Sequence, residues 1–379
     1  MNILLVVTGL PDDLNPARSV YNLNYAHELS SEGHIVNIIY LRALKPGRKL
    51  ISHRKYNDIG IVEIGCIIPQ LSHPTVENFT YLLFKYLIKN KLLAKYCENS
   101  DIIHCINGNG TVYAGLLSER YKKRFIVQFV GSDINSSLNK NMKSRMFTKH
   151  LNRASLFSFN SKQLSNDFNQ KTKLTNKENY VVYRGVKLSN FTFKFTPISS
   201  KLNVLFLGGF PNNTNLKGGY TLLKAFSLLD SKLKDSEVEL SIKIGGPNSD
   251  KINFECNNIN VQFLGAVNKD RISFLMKESH IVIIPSLNEG IPNVLYEAMA
   301  SGNLLMCSRV GGIPEFINNE ENGLLFSPDN FQEIADLFLE ILKNPDQVLN
   351  YALAARNYIN KFDYELFVSN YLKLYQKII

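Results

Sequence analysis

Among the 379 residues no apolar run reaches the roughly 18 needed to cross a bilayer, which excludes a spanning helix. Cysteine is scarce: Cys66, Cys97, Cys105, Cys256 and Cys307 make an odd set of five with no CxxC spacing. That excludes a disulfide framework and a structural zinc site, and it fits a reducing cytoplasm. With 22 glycines and 13 prolines the chain is neither collagen-like nor low in complexity. No basic leader precedes the apolar start at residues 1–8, so no signal peptide is expected. No repeat of solenoid length is present. What is there is 45% hydrophobic residues over a length that favours two domains.

Charge divides the chain. Residues 1–195 hold 27 Lys and Arg against 13 Asp and Glu, a net of +14, while the remainder carries −4. One half is therefore drawn to anionic partners and the other is not. Nucleic acid, anionic lipid and phosphorylated substrates all satisfy that charge. No aromatic–basic RNA-recognition motif accompanies it, so a nucleic-acid partner is not expected.

Hydrophobic periodicity alternates between strand and helix along the whole chain. Strand patterns fall at residues 2–8, 34–40, 101–105, 124–129 and 156–160, with a helical pattern at 17–31 stopped by Gly33. The alternation pauses over 186–201, which reads as a linker. It resumes with strands at 202–207, 238–244, 261–264, 281–284 and 303–306, and helices at 219–229, 270–277, 292–300 and 331–342. Such alternation predicts an α/β protein of two doubly wound parallel sheets, 1–195 and 196–361, followed by a helical segment at 362–379. In such folds ligands sit beyond the carboxyl ends of the strands, so a cleft between the two domains is the expected site.

The segment richest in chemistry is Pro285-Ser-Leu-Asn-Glu-Gly-Ile-Pro-Asn-Val-Leu-Tyr-Glu-Ala-Met-Ala-Ser-Gly302. A buried strand leads into a loop, and Pro292 is suited to open the next helix because its missing N–H would be unpaired there. The amides of Asn293 and Val294 are then free at the positive end of the helix, a geometry that receives a diphosphate. Glu289 precedes the helix, and Glu297 lies about 7.5 Å beyond Pro292 at 1.5 Å per residue. The two carboxylates are placed to hold hydroxyls on either side of that diphosphate. The plainer reading makes Glu289 a solvated cap and Glu297 a surface position.

This segment resembles the signature of the family-4 retaining glycosyltransferases of GT-B fold, also described as glycosyl transferases group 1. Other pieces stand in the family's order: Val204-Leu-Phe-Leu-Gly208, Leu216-Lys-Gly-Gly219, Ile244-Gly-Gly-Pro247, Phe263-Leu-Gly265, Val310-Gly-Gly-Ile-Pro-Glu315 and Asn322-Gly-Leu-Leu-Phe326. Weaker matches in the first half are Asp101-Ile-Ile-His104, Gly131-Ser-Asp133 and Gly185-Val186. The resemblance implies sugar transfer from a nucleotide-diphosphate sugar, UDP favoured over GDP, to a lipid-linked or saccharide acceptor of bacterial surface polysaccharide or lipopolysaccharide. The anomeric configuration would be retained, with no metal and no cofactor. It implies an N-terminal acceptor domain, a C-terminal donor domain, and a terminal helix crossing back to the first.

By the same resemblance, Lys217 neutralises the diphosphate, Glu297 binds the ribose and Glu289 the sugar. Gly290, Ile291, Pro292, Asn293 and Val294 bind the donor between them. Gly208 ends the strand before Lys217, and backbone near Val267 meets the base. Gly9 lets the first strand's loop approach the phosphates. Nearer the reacting carbon stand the Val130 carbonyl, Asp133 and His104. Asp133 reads equally as a helix N-cap and His104 as a satisfied strand-end histidine.

Three departures qualify the match. Gly209 stands where relatives often carry an Arg, Val130 where many carry a His, and Arg184 where an Asn is common. They keep two rivals open: an epimerase or phosphorylase on the same architecture, or an inactive nucleotide-sugar-binding subunit. Arg184 or Arg18 would be the substitute cation for the missing Arg. Residues 79–96 have helical period and carry Lys85, Lys89, Lys91 and Lys95 with Tyr81, Leu82, Phe84 and Leu92. They read either as a sheet-covering helix or as a membrane-surface helix. With Lys122–Arg124 and residues 140–153 they predict a basic face, attached peripherally to the inner leaflet of the plasma membrane.

Overall fold

A computed structural model describes residues 1–11, 19–44, 47–66, 74–174, 177–193, 195, 197–210, 215–234 and 237–379, with only the backbone of 74–80. Arg18 lies outside the described residues. The chain forms two compact units, Met1–Tyr183 with Glu365–Ile379, and Arg184–Tyr364.

The first unit is built on eight strands: β1 Asn2–Val7, β2 Ile35–Ala43, β3 Ile51–Tyr56, β4 Ile59–Cys66, β5 Ile102–Ile106, β6 Arg124–Phe129, β7 Leu156–Phe159 and β8 Asn179–Val181. Their order is β3-β4-β2-β1-β5-β6-β7-β8, parallel throughout except for β3, which runs antiparallel to β4. The central strands are continuous apolar runs because helices cover both faces. From Ile3 to Val7 no side chain of β1 is more than 1% exposed. The β3–β4 hairpin was not expected, because Ser52, His53, Arg54 and Lys55 of β3 give it no apolar alternation.

The second unit holds β9 Lys201–Leu207, β10 Glu239–Gly245, β11 Ile259–Gly265, β12 Ile281–Ile284, β13 Leu304–Ser308 and β14 Leu324–Phe326. Their order is β11-β10-β9-β12-β13-β14, all parallel. Its core runs from Leu202 and Val204 on β9 to Phe226 and Phe338 on covering helices. In both sheets the carboxyl ends of the strands open into the glycine-rich segments quoted above.

The unit boundary comes earlier than residue 195. Gly185 has φ 66°, and a Cβ there would lie 2.1 Å from the Phe362 carbonyl oxygen. The Val186 amide donates to that oxygen at 3.1 Å, and the Tyr364 amide donates to the Val186 carbonyl at 3.1 Å. This pairing binds residues 184–193 to the second unit. The terminal helix, Tyr364–Ile378, packs in the first unit, burying Phe367, Tyr371 and Tyr375. The helix expected over 79–96 is instead two, Pro74–Leu87 and Lys91–Glu98. Asn90 caps the second by accepting from the Leu92 amide at 3.0 Å.

Candidate active site

The 285–292 loop at the end of β12 is braced by glycines on two sides. Gly218 has φ 72°, and a Cβ there would stand 1.8 Å from the Pro285 carbonyl oxygen. The Leu287 amide donates to the Leu216 carbonyl at 2.9 Å, so the Lys217 loop lies directly on the β12 loop. On the other side Gly311, φ 54°, presses against the Glu289 carbonyl, and the Gly312 amide donates to the Gly290 carbonyl at 2.8 Å. Gly208 completes the bracing, since its missing Cβ leaves room for the Phe206 ring and the Lys217 Cβ.

The result is an ion pair between Lys217 Nζ and Glu289 Oε1. Glu289 is mostly buried and Lys217 is 41% exposed. The Ser286 hydroxyl donates to the same carboxylate oxygen at 3.2 Å. Ser286 was missed in the sequence, although its spacing three residues ahead of Glu289 is that of a capping box.

Pro292 adopts φ −70°, ψ 140° and is the N-cap; the helix proper is Asn293–Ser301. Pro292 therefore stands one position outside the place expected for it, with its carbonyl accepting from the Leu295 amide at 3.0 Å. The amides of Asn293 and Val294 have no hydrogen-bond partner among the described residues. Beside them, Arg184 Nη1 donates to Asn293 Oδ1 at 3.0 Å. Glu297 is half-buried, and its carboxylate likewise finds no donor among the described residues. Burial pushes its pKa up, with Lys269 pulling the other way. A desolvated carboxylate without donors is a ready acceptor for hydroxyls.

The neighbouring strand ends are drawn together. Gly265 ends β11 with φ 67°, and its carbonyl accepts from the Gly246 amide at 2.8 Å. Val267 packs where a Cβ on Gly245 would be. Gly209 has φ 62°, and its Cβ would lie 2.5 Å from the Pro247 carbonyl oxygen. No arginine fits at 209 in this conformation, which accounts physically for that departure.

The first unit uses its polar residues differently. Asp133 is buried and accepts from the amides of Gly108 (2.7 Å), Gly131 (2.9 Å), Val130 (3.1 Å) and Ile134 (3.1 Å). It ties two loops together and has no surface for a ligand. His104 is fully buried, with Nδ1 2.6 Å from the Tyr375 hydroxyl, which lies 2.8 Å from that of Tyr25. Burial lowers its pKa to about 3, so the ring is neutral. Its place under the terminal helix corrects the expectation that it stands near the reacting carbon. Gly9 leaves room for the Ser19 hydroxyl, and its carbonyl accepts from Asn22 Nδ2 at 2.8 Å, so its closest neighbour is the chain's own helix. Val130 is half-buried, and its carbonyl receives no hydrogen bond from a described residue.

The basic surface is also rearranged. Phe84 faces the core, whereas Leu82 (63% exposed) and Tyr86 (73%) point outward beside Lys85 and Lys89. Lys122–Arg124 lie at the amino end of β6, opposite the Val130 loop, while Lys140, Lys143 and Arg145 follow that loop. The charge is thus not gathered on one face. Among the described residues no helix is long and apolar enough to cross a membrane, and no group of three or more His, Cys, Asp or Glu is placed to hold a metal ion.

Comparison with known proteins adds to this geometry. Residues 201–344 match the family described as glycosyl transferases group 1. An uncharacterized glycosyltransferase of Methanocaldococcus jannaschii is 25% identical over 80% of this chain and 82% of its own length. The N,N'-diacetylbacillosaminyl-diphospho-undecaprenol alpha-1,3-N-acetylgalactosaminyltransferase of Campylobacter jejuni is 30% identical over 31% of each chain. The crystal structure of Anabaena HepE in complex with UDP superposes with a TM-score of 0.71, at 16% identity and over the whole of both chains. The chain therefore has the GT-B fold, and its second unit carries the match to glycosyl transferases group 1.

Proposed function

We propose that this protein is a family-4 retaining glycosyltransferase moving a sugar from a nucleotide-diphosphate sugar, UDP favoured, to a lipid-linked or saccharide acceptor in bacterial surface polysaccharide assembly. The observation that carries the reading is the Lys217–Glu289 pair beside the amides of Asn293 and Val294, which have no partner among the described residues, with the carboxylate of Glu297, likewise without a donor among them, further along the same helix. The HepE complex with UDP supports the nucleotide, and the Campylobacter enzyme's name supports a lipid-diphosphate acceptor.

On this reading the diphosphate takes Lys217 from Glu289 and lies over the two free amides. Glu289, released, accepts from a sugar hydroxyl, and Glu297 accepts from the ribose. The anomeric C–O bond to phosphate breaks as the acceptor oxygen bonds to the same face of the sugar. The acceptor's proton passes to the departing phosphate oxygen, so no strong side-chain base is needed. Lys217 and the helix amides stabilise the charge gathering on that phosphate without a metal ion. Leu82 and Tyr86 with Lys85 and Lys89 form the point of peripheral attachment to an anionic leaflet.

A thermal-shift screen against UDP, GDP, ADP and CDP, with and without Mg²⁺, tests the reading. A ligand that binds only the folded protein raises its stability by RT ln(1 + [L]/Kd). The expected result is a shift with UDP that does not depend on Mg²⁺. No shift with any nucleotide would remove the donor site, and the nucleotide-sugar-binding-subunit rival with it.

A further inference from the structure

At the carboxyl end of β2 the first unit buries a cation whose donors are not all used. Arg42 lies opposite Gly65 of β4, and its side chain is only 5% exposed. Its Nη2 donates to the Lys49 carbonyl, which belongs to an exposed turn at residues 47–50. Its Nε is 3.6 Å from Glu63 Oε2, within reach of an ion pair but too far for a hydrogen bond. Its Nη1 has no hydrogen-bond partner among the described residues. Gly65 makes the room for that nitrogen, since a Cβ there would stand 3.2 Å from it.

Glu63 does not settle the charge. Its Oε1 accepts from Arg54 Nε at 2.8 Å, and its Oε2 accepts from the Ser52 hydroxyl at 3.2 Å. One carboxylate thus stands between two guanidiniums and spends its short hydrogen bonds away from the buried one. Arg54 is exposed and also donates from Nη2 to the Pro11 carbonyl at 3.2 Å, on the chain that follows β1. A guanidinium cannot shed its charge on burial, so unspent donors there are costly unless an anion completes them. The carboxyl ends of parallel strands are also where α/β sheets take their ligands.

We propose that Arg42, with Arg54 beside it, is an oxyanion site of the first unit and takes a phosphoryl group of the acceptor. The anion displaces the Lys49 carbonyl of the exposed turn, and Nη1 and Nη2 then meet its oxygens as a planar fork. Glu63 offsets one of the two guanidinium charges and so sets how tightly the site binds. The proposal rests on the lipid-linked acceptor put forward above, and it is independent of the Lys217 loop and the Asn293 helix.

The test is calorimetric titration of the full-length protein, saturated with UDP, with inorganic pyrophosphate and with inorganic phosphate. Pyrophosphate stands in for the acceptor's diphosphate, and UDP keeps it out of the donor site. Wild type should bind pyrophosphate at least tenfold more tightly than phosphate. Arg42→Gln should lose at least tenfold in pyrophosphate affinity, whereas Glu63→Gln, with one opposing charge fewer, should gain at least threefold. A purely structural cluster would give no gain in Glu63→Gln, and that result overturns the proposal. So does undiminished binding in Arg42→Gln, or no pyrophosphate binding in wild type. Phosphate bound as tightly as pyrophosphate would make this a site for the free ion and overturn its assignment to the acceptor. If UDP itself does not bind, the donor-site reading falls while pyrophosphate still reports on Arg42, so the two are decided separately. Should Arg42→Gln not fold, Glu63→Gln decides alone: tighter pyrophosphate binding supports the proposal, and unchanged or weaker binding overturns it.

Discussion

The carboxyl ends of the two sheets are built from similar loops but use their polar residues in opposite ways. In the first unit Asp133 has all its acceptor capacity taken by four backbone amides, and His104 is enclosed by Tyr25, Tyr371 and Tyr375. In the second unit backbone contacts of Gly218 and Gly311 fix the loops, so the side chains are left for other work. Glycine bracing fixes these loops through the backbone, so the Lys217–Glu289 pair and Glu297 are not needed to hold them, whereas a side chain that ties loops is consumed by doing so.

The largest expected effect sets the two regions against each other. Asp133→Ala strands four amides and should lower unfolding stability by at least about 3 kcal/mol, read by urea denaturation. Lys217→Ala should leave the urea midpoint nearly unchanged, because a partly exposed ion pair adds little to stability. It should nevertheless slow transfer roughly 100-fold, on the scale of losing one group that stabilises transition-state charge. If Lys217→Ala unfolds the protein while Asp133→Ala leaves it intact, the contrast is reversed.

Acid should separate the units next. Burial holds His104 at about 3 and His150 at about 4, below their ordinary value of 6.5. Between those values and 6.5 the unfolded chain binds more protons than the folded one, so stability is full above pH 6.5 and falls as pH drops. The slope is at most about 1.4 kcal/mol per pH unit for each histidine. Both belong to the first unit, so hydrogen exchange at pH 5 should show Met1–Tyr183 loosening before Arg184–Tyr364. Loosening that begins in the second unit would count against this.

The smallest effect concerns Glu297, whose raised pKa marks a charge held where it is poorly solvated. Glu297→Gln should raise the melting temperature of the unliganded protein by about 1–2 °C, by removing that desolvated charge. The same change should weaken UDP binding about tenfold. A variant that melts lower and binds equally well would make Glu297 an ordinary structural residue.

Much of this was legible in the sequence, and the misses have physical causes. The buried strands from Ile3 to Val7 and from Ile281 to Ile284 are unbroken apolar runs, and the Glu289–Glu297 segment carries its own loop, proline and helix. The β3–β4 hairpin was hidden because its outer strand is exposed and polar. The break at Asn90 was hidden because apolar residues keep helical spacing across it. Whether Asp133 faces a ligand or four amides depends on where Gly108 arrives, and a contact 25 residues away leaves no local trace.

The pairing of Lys217 with Glu289 sets the glutamate against any anion that comes for the lysine. An incoming anion must displace a carboxylate that is already seated, and that carboxylate is then left mostly buried without its counter-ion. Inorganic phosphate answers the lysine but abandons the glutamate. A molecule bringing a negative group and a hydroxyl together answers both in one step. The locked pair thus filters by conjunction: it should favour a ligand that carries both groups over one that carries the anion alone.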